Sequence, residues 1–242
     1  MSLTEPLFRD DAYLQECTAR VTAVNERGGI VLDRTVFYPS GGGQPGDAGM
    51  LIWAGGETAI ATTVKGEGPG EIVHVGAEGA VLPPVGAEVT ARIDWETRYL
   101  RMRTHTAMHL LSVVIPLPVT GGSVGDGKGR LDFDMPEPPA DKEALAARLN
   151  ELAAADHPVT TEWITDDELA ANPGLVKTMA VKPPVGQGRV RLVRIGTPEA
   201  TIDLQPCGGT HVRTTGEIGR ITLGKIEKKG RQNRRVTIFV ED

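Results

Sequence analysis

The first 90 residues alternate hydrophobic and polar positions in short runs that Gly and Pro interrupt. Residues 17–24 form one such run, and a Gly-containing turn at 25–29 separates it from a second run at 30–37. Alternation with a period of two predicts half-buried strands, and two such runs around a turn predict a hairpin. Four more runs have the same character: 49–54, 58–65, 71–75 and 88–93. Repeated short strands with such turns predict a small β-barrel or sandwich.

The pattern changes near residue 90, where an uninterrupted helical stretch replaces the strands. Residues 94–115 contain neither Gly nor Pro, and Pro116 ends the helix. Hydrophobic residues recur at helical spacing along one side of it, whereas His105 and His109 fall on another side. We therefore predict two domains, residues 1–90 and residues 91–242.

Helix and strand signals alternate irregularly in the second domain. Residues 121–130 are rich in Gly and are expected to be flexible, and Asp141 is placed to cap a helix that runs to Leu152. The remaining segments are predicted as strands at 131–134, 159–165, 189–195 and 201–205, a short helix at 166–171, and a terminal hairpin of 220–226 with 235–240. Helices and antiparallel strands in this order indicate an α+β domain.

The composition is that of an ordinary soluble protein, with 40% hydrophobic and 24% charged residues. We expect neither a membrane-spanning helix nor a secretion signal, because no run approaches the length of a membrane helix and residues 1–6 lack a basic region followed by an apolar one. Two cysteines, Cys17 and Cys207, are too few for a disulfide framework, which favours a reducing compartment. We therefore expect a cytoplasmic monomer that has no membrane partner.

The net charge of -6 is unevenly distributed along the chain. The acidic excess lies in the first 90 residues, and the segment 225–235 holds six basic residues against Glu227 alone. A second basic group contains no acidic residue: Lys177, Lys182, Arg189, Arg191 and Arg194. We expect the strand at 189–195 to expose its basic side. Such a face suits phosphate binding, and a solvated strand edge protected by Lys and Arg explains it equally well.

The chain has five His and two Cys, and four of these seven residues fall into two pairs. His105 and His109 are one turn apart on a helix, so both imidazoles can approach one point. Cys207 and His211 supply a thiolate and a third imidazole from a distant segment. Three nitrogen donors and one sulfur suit zinc, whereas magnesium and calcium prefer oxygen. Each pair alone has an ordinary structural explanation, but together they predict a zinc site.

Thr106 and a Gly-rich segment restrict the chemistry further. The spacing of the helical histidines equals that of a zinc metalloprotease, but Thr106 stands where such an enzyme has its general-base Glu. A peptidase is therefore disfavoured. Residues 38–47 contain Gly41, Gly42 and Gly43, which would let the backbone approach a ligand closely. The segment lacks the Gly-Lys-Ser/Thr of a nucleotide P-loop, and taken alone it is also compatible with a tight turn.

Three separated blocks together resemble one family. The sequences FYPSGGGQPGD at 37–47, RTHTAMHLLS at 103–112 and QPCGGTHV at 205–212 are similar to motifs of the AlaX proteins, free-standing relatives of the alanyl-tRNA synthetase editing domain. Their order and spacing match the medium-length form over nearly the whole chain. The resemblance implies an N-terminal β-barrel domain, followed by a zinc-binding α+β editing domain of the threonyl/alanyl-tRNA synthetase type.

The resemblance also implies a reaction, hydrolysis of the ester in tRNA(Ala) mischarged with serine or glycine, and the residues that serve it. One Zn²⁺ per chain would be held by His105, His109, Cys207 and His211. Candidate catalytic residues are His105, His109, Gln44 and Thr35. Candidate substrate contacts are Thr35, Gly42, Gly43, Gln44, Lys228, Lys229 and Arg231, of which Thr35 is the proposed contact to a serine hydroxyl.

Three other functions remain open at the level of the sequence. A threonyl-type editing domain shares the zinc pairs but does not require the Gly-rich segment with Gln44. A non-catalytic RNA-binding module stabilised by zinc would bind tRNA and leave the ester intact. A small-molecule zinc esterase would cleave aminoacyl esters without tRNA. The sequence also leaves open the general base and whether zinc keeps four protein ligands during the reaction.

Overall fold

The computed structural model describes residues 3–177 and 188–241. Two compact units make up the chain, Met1–Tyr99 and Leu100–Asp242, and the division falls within one helix. The assignment of separate domains to residues 1–90 and 91–242 stays a prediction. Lys182 of the second basic group lies outside the described residues. Within the described part of the chain, no helix is both long and apolar enough to cross a membrane.

Six strands of the first unit close into a barrel, which confirms the predicted small β-barrel. The strands of this unit are β1 (Glu5–Pro6), β2 (Glu16–Val24), β3 (Ile30–Leu32), β4 (Arg34–Thr35), β5 (Gly49–Trp53), β6 (Gly56–Lys65), β7 (Ile72–Gly76) and β8 (Glu88–Ile93). The barrel order is β2-β3-β7-β6-β5-β8, with antiparallel neighbours throughout. Alternate residues such as Ala19, Val21, Val89 and Ala91 fill its interior.

The second unit combines helices with two antiparallel sheets, which confirms the α+β prediction. Its elements are β9 (Val119–Val124), β10 (Lys128–Asp134), α2 (Lys142–Ala154), β11 (Val159–Thr165), α3 (Asp166–Ala171), β12 (Arg189–Gly196), β13 (Thr201–Pro206), β14 (Arg220–Lys228) and β15 (Asn233–Glu241), and they follow helix α1 (Trp95–Val114). One sheet has the order β14-β15-β10-β9 and the other β11-β12-β13. Asp141 caps α2 as predicted, because its carboxylate accepts from the Ala144 N–H at 2.8 Å.

The expectation of a flexible segment at 121–130 is wrong, because β9 and β10 pair across most of it. Its glycines serve close packing and not mobility. A Cβ built on Gly129 would lie 2.6 Å from Sδ of Met108, and one on Gly122 would lie 3.0 Å from a methyl carbon of Leu131. Glycine within a strand commonly marks such a close approach of the backbone to a neighbour. The sheet therefore lies directly against α1.

The expectation that β12 exposes its basic side is also wrong. Arg189 is exposed, but Arg191 is 8% exposed and Arg194 is partly buried. The reason is that the Arg191 guanidinium turns inward and donates to the carbonyls of Cys207 and Gly209. Arg194 donates to the Glu162 carboxylate of the neighbouring strand at 2.8 Å. These guanidinium groups are therefore used inside the fold.

His74 is a fully buried residue of the barrel unit. Its Nδ1–H donates to the Ile30 carbonyl at 3.0 Å, and its Nε2 accepts from the Thr35 hydroxyl at 2.8 Å. Burial lowers the pKa of His74 from its ordinary value of 6.5 to about 4. The imidazole is therefore neutral at pH 7, and both of its nitrogens are hydrogen-bonded.

We predict that His74 makes the free energy of unfolding fall as the pH drops from about 6.5 to about 4. In this window the unfolded chain takes up a proton on this imidazole and the folded chain does not, so protonation favours unfolding by up to about 3 kcal/mol. Denaturant unfolding at several pH values should show a smaller acid-induced loss for His74→Asn than for the wild type. If the free energy of unfolding depended on pH equally in the two proteins, His74 would not be the group responsible for the acid-induced loss.

Candidate metal centre

Helix α1 brings His105 and His109 to one place inside the second unit. The absence of Gly and Pro keeps the helix continuous, and every residue from Met102 to Ser112 is buried. His105 is 8% exposed and His109 is 6% exposed, and their ring centroids lie 5.3 Å apart. The two imidazoles thus face the protein interior.

The segment after β13 supplies the other two groups. Sγ of Cys207 lies 3.6 Å from Nε2 of His105 and 3.3 Å from Nε2 of His211. The four donor atoms of His105, His109, Cys207 and His211 all lie within 4.8 Å of one another. The structure therefore brings the four predicted metal ligands together in a single cluster.

The spacing of these donors fits a tetrahedral site. A metal with about 2.0–2.1 Å bonds to nitrogen and about 2.3 Å to sulfur separates its ligand atoms by about 3.4–3.6 Å. The two sulfur-to-nitrogen distances of 3.6 and 3.3 Å agree with this separation. The cluster can therefore hold a metal ion without a large rearrangement of these three side chains.

Asp203 and its neighbours orient the imidazole of His109. Nδ1–H of His109 donates to Oδ2 of Asp203 at 2.9 Å, which directs Nε2 toward the cluster. Nε2 of Gln205 donates to the same oxygen at 2.7 Å, and the Lys177 ammonium contacts the other carboxylate oxygen. Burial alone would raise the pKa of Asp203, but His109 and Lys177 lower it to about 2. Asp203 is thus a buried anion behind the metal ligand.

Thr106 performs the same orienting task for His211. Its hydroxyl donates to the Met102 carbonyl at 2.9 Å, as threonine commonly does within a helix. The hydroxyl oxygen then accepts from Nδ1–H of His211 at 3.1 Å and from the Val212 N–H at 3.3 Å. The residue that replaces the protease Glu therefore directs Nε2 of His211 toward the cluster.

Arg191 holds the backbone of the segment that contains Cys207. Its guanidinium donates to the carbonyls of Cys207 and Gly209, both at 3.0 Å. The Cys207 N–H in turn donates to the Arg191 carbonyl at 3.1 Å, which extends the pairing of β12 and β13 by one residue. The position of the thiol is thus fixed from the neighbouring strand.

Charges within the cluster determine its protonation. Burial alone would raise the pKa of the Cys207 thiol, but His105 and His211 lower it well below its ordinary value. Burial likewise opposes protonation of His109, but Asp203 and Cys207 raise its pKa to about 9. Burial and His105 lower the pKa of His211 to about 3. The histidines therefore favour the thiolate form of Cys207, which is the form that binds a metal cation, and a bound cation would compete with protons for these four groups.

Four residues that support the candidate metal ligands were not predicted from the sequence as site residues: Lys177, Arg191, Asp203 and Gln205. Thr106 was interpreted only as the replacement of a protease Glu, and its contact to His211 was not predicted. Strand alternation carried one usable signal. Asp203, Gln205 and Cys207 are two residues apart, so a strand places all three side chains on one face. Arg191 gave no such signal, because its partners are backbone carbonyls.

In the first unit, a buried ion pair anchors the Gly-rich segment. Arg98 and Asp47 are both almost completely buried and form a salt bridge. Asp47 also accepts from the Tyr38 N–H at 2.6 Å, and Arg98 donates to the Val36 carbonyl at 2.7 Å. Removal of one partner from such a pair typically costs about 3–5 kcal/mol. The pair therefore fixes both ends of the segment.

The predicted substrate contacts of the first unit lie in or before this segment. Gly42 and Gly43 have φ values of 58° and 86°, which favour glycine. Gln44 is buried, and its N–H donates to the Gly41 carbonyl at 3.0 Å. Thr35 is fully buried in β4, where its hydroxyl donates to His74 and accepts from the Phe37 N–H at 3.1 Å.

The predicted basic contacts of the second unit lie at the turn between β14 and β15. Lys228, Lys229 and Arg231 are all exposed there. Nζ of Lys229 lies 3.7 Å from a carboxylate oxygen of Glu227, a separation typical of a weak surface ion pair. This turn therefore presents several cations to solvent.

Comparisons with known proteins identify related sequences for both units. The sequence model of the threonyl and alanyl tRNA synthetase second additional domain matches residues 190–237. The sequence model of the class II (A) tRNA synthetases matches residues 10–97. The first match includes Cys207 and His211.

Similar whole proteins include free-standing editing proteins and alanine–tRNA ligases. The alanyl-tRNA editing protein AlaX-M of Methanosarcina mazei is 35% identical over 99% of this chain and 98% of its own length. AlaX-M of Saccharolobus solfataricus is 34% identical over 99% of this chain and 100% of its own length. The alanine–tRNA ligase of Pyrobaculum neutrophilum is 38% identical over 93% of this chain, which spans only 25% of that enzyme.

We predict that Asp203→Asn weakens metal binding, measured with Zn²⁺ as the probe, about 10- to 100-fold, because the variant loses the anion that orients His109. Competition with a chromophoric chelator would measure the dissociation constant. Asp132→Asn is a matched control in the same unit, since Asp132 pairs with Arg235 away from the metal ligands. Equal zinc affinities of Asp203→Asn and the wild type would exclude the orienting role.

Proposed function

The chain belongs to the AlaX-M family of alanyl-tRNA editing proteins, and we propose that it is a trans-editing deacylase of mischarged tRNA(Ala). Its substrates would be Ser-tRNA(Ala) chiefly and Gly-tRNA(Ala) in addition, with Ala-tRNA(Ala) spared, and the cytoplasm would be its place of action. The observation that carries the proposal is the cluster of three imidazoles and one thiolate within 4.8 Å. The names of the full-length relatives favour alanyl over threonyl editing.

We propose zinc as the metal, one ion per chain, held by His105, His109, Cys207 and His211. The nitrogen and sulfur donors favour zinc over magnesium and calcium, and the donor spacing suits a tetrahedral ion. Bound zinc would supply a positive charge that orients the aminoacyl end and polarises the ester carbonyl. The buried carboxylate of Asp203 would balance part of that charge.

The residues of the chain would contribute mainly by holding groups in place. Asp203 fixes His109, Thr106 fixes His211, and Arg191 fixes the backbone of Cys207. Proton transfer from the attacking water needs a base, for which His105, His109 and a hydroxyl of the tRNA itself are the candidates. Four protein ligands close a zinc site, so a histidine can act as that base only after it leaves the metal.

Discrimination between the seryl ester, which is cleaved, and the alanyl ester, which is spared, would depend on the seryl hydroxyl. A pocket that hydrogen-bonds this hydroxyl leaves a buried group unpaired when alanine enters, and such sites can discriminate by about 10⁴-fold. We propose Thr35 as that contact, with Gly42, Gly43 and Gln44 contributing to the pocket wall. The Thr35 hydroxyl donates to Nε2 of His74 and accepts from the Phe37 N–H, so a contact to a substrate hydroxyl would use the remaining lone pair of its oxygen.

The exposed cations of the β14–β15 turn, Lys228, Lys229 and Arg231, would contact tRNA phosphates. Each such contact releases counterions and makes binding salt-dependent. Reversal of these charges should therefore reduce the salt slope of tRNA binding, and an unchanged slope would exclude this turn.

We predict that the protein deacylates Ser-tRNA(Ala) and that a chelator abolishes this activity until Zn²⁺ is restored. The expected loss exceeds 100-fold, because zinc supplies charge stabilisation worth several kcal/mol. Cys207→Ala should show the same loss together with loss of the bound metal. Ser-tRNA(Thr) is the control that separates threonyl editing from the proposed activity. Full activity of metal-free protein would refute the zinc assignment.

We predict that Thr35→Val lowers the ratio of kcat/KM for Ser-tRNA(Ala) over Ala-tRNA(Ala) by at least about tenfold. Thr35→Ser keeps a hydroxyl and should retain most of the ratio. Val also leaves Nε2 of His74 unpaired, which should cost about 1–3 kcal/mol of stability. The ratio of the two substrates cancels that loss, since both are measured on the same protein. An unchanged ratio in Thr35→Val would reject the contact.

A further inference from the structure

Trp163 is an exposed aromatic residue that the proposed function does not use. It lies on β11, one of the two edge strands of its sheet, and is 41% exposed. The guanidinium carbon of Arg189 lies 4.4 Å from the centroid of the Trp163 ring. This distance is typical of a cation–π contact, so a cation is held against a partly exposed indole.

The strand register places Trp163 in the same row as a metal ligand. Trp163 pairs directly with Arg191 on β12, and the Arg191 carbonyl accepts from the Cys207 N–H. Residues directly opposite each other in a sheet project to the same face. The side chains of Trp163, Arg191 and Cys207 therefore share one face of the sheet.

The same face continues toward the metal through buried residues. Asp203 and Gln205 project from β13 on this side, and their partners on β12 are Ile195 and Val193, which are both buried. Adjacent strands are about 4.8 Å apart, so Cα of Trp163 lies about 10 Å from Cα of Cys207. One sheet face thus carries the metal cluster at one edge and the Trp163–Arg189 pair at the other.

An exposed indole with a guanidinium against it has the chemistry of a nucleobase stacking site. Proteins bind unpaired nucleotides by stacking bases on aromatic rings, and nearby arginines neutralise the phosphates. Successive nucleotides rise about 3.4 Å along a stacked strand, so about 10 Å spans about three of them. A nucleotide at Trp163 would therefore lie about three positions along a stacked strand from one at Cys207.

We propose that Trp163 and Arg189 bind single-stranded RNA by stacking a base that precedes the terminal, aminoacylated nucleotide of the tRNA. The proposal rests on the proposed function, because it places the ester at the metal cluster. It adds a second point of substrate contact on the same sheet face. Its role is to bind and orient the 3′ end, and it takes no part in proton transfer.

The pair also has a purely structural explanation. The guanidinium of Arg189 on β12 lies over the Trp163 ring, and this contact could serve only to shield an aromatic residue of an edge strand. This explanation predicts that Trp163 contributes to stability or solubility and leaves RNA binding unchanged. RNA binding and steady-state kinetics together separate the two roles.

The experiment compares wild-type protein with Trp163→Ala, Trp163→Phe and Arg189→Ala. Fluorescence is titrated with a single-stranded RNA that ends in CCA-3′ and with uncharged tRNA(Ala). Stacking should quench the Trp163 emission, obtained as the difference between the wild type and Trp163→Phe. We expect Trp163→Ala to raise KM for Ser-tRNA(Ala) about 5- to 100-fold with kcat nearly unchanged, and Trp163→Phe to restore most of the affinity.

Phe239 provides a matched control in the same unit. It is 38% exposed on β15, and the Lys128 ammonium lies 5.6 Å from its ring centroid. Phe239→Ala should leave RNA binding unchanged, because this pair belongs to the other sheet. Metal content and thermal unfolding verify that each variant folds. If Trp163→Ala fails to fold, Arg189→Ala and the quenching of the wild type decide the question.

The outcomes distinguish this inference from the proposed function. Quenching by RNA that requires Trp163, in a protein without deacylase activity, would support the stacking site and reject the enzyme. Chelator-sensitive deacylation with no quenching, and with unchanged KM in Trp163→Ala, would support the enzyme and overturn the stacking site. Equal losses of RNA affinity in Phe239→Ala and Trp163→Ala would also overturn it.

Discussion

The second unit is organised by the need to keep four donor groups in one buried place. Two donors come from α1, and Cys207 and His211 come from a segment about a hundred residues later. A thiolate next to imidazoles is costly to bury without a cation or compensating hydrogen bonds. The surrounding fold supplies those bonds through Asp203, Thr106 and Arg191. The sheets and the helix therefore have two roles: they form a hydrophobic core, and they hold the polar side chains that stabilise the buried donor groups.

The reliance of the donor groups on neighbouring residues explains why helices with the His-x3-His spacing can serve different chemistries. The spacing fixes only the direction of two imidazoles, whereas the residue between them decides what else the helix offers. A glutamate at that position can take up a proton, but the Thr106 hydroxyl is occupied by His211 and two backbone groups. Water activation must then come from another group. Affinity for the RNA and for its aminoacyl end would supply more of the rate enhancement.

The sequence was informative wherever local physics determined the structure. Alternation over 88–93 and the Gly-free run before Pro116 predicted β8 and α1, and the two His/Cys pairs predicted the cluster. It failed where a long-range contact decided the outcome. Glycines at 121–130 indicated mobility, but Gly129 is required by the approach of Met108. Arg191 suggested a basic surface, but its guanidinium donates to the carbonyls of Cys207 and Gly209, which lie next to Arg191 only in the folded chain.

The close contact between β10 and α1 has a consequence for how the protein tolerates sequence change. A methyl group at Gly129 would collide with Met108 and come within 3.0 Å of Thr104, the residues that precede His109 and His105. Relief of that collision would shift or rotate the helix that aims both imidazoles. A substitution in β10, a strand that contributes no candidate ligand, can therefore abolish metal binding. Substitutions that abolish metal binding should therefore include some at residues, such as Gly129, that contact none of the four candidate ligands.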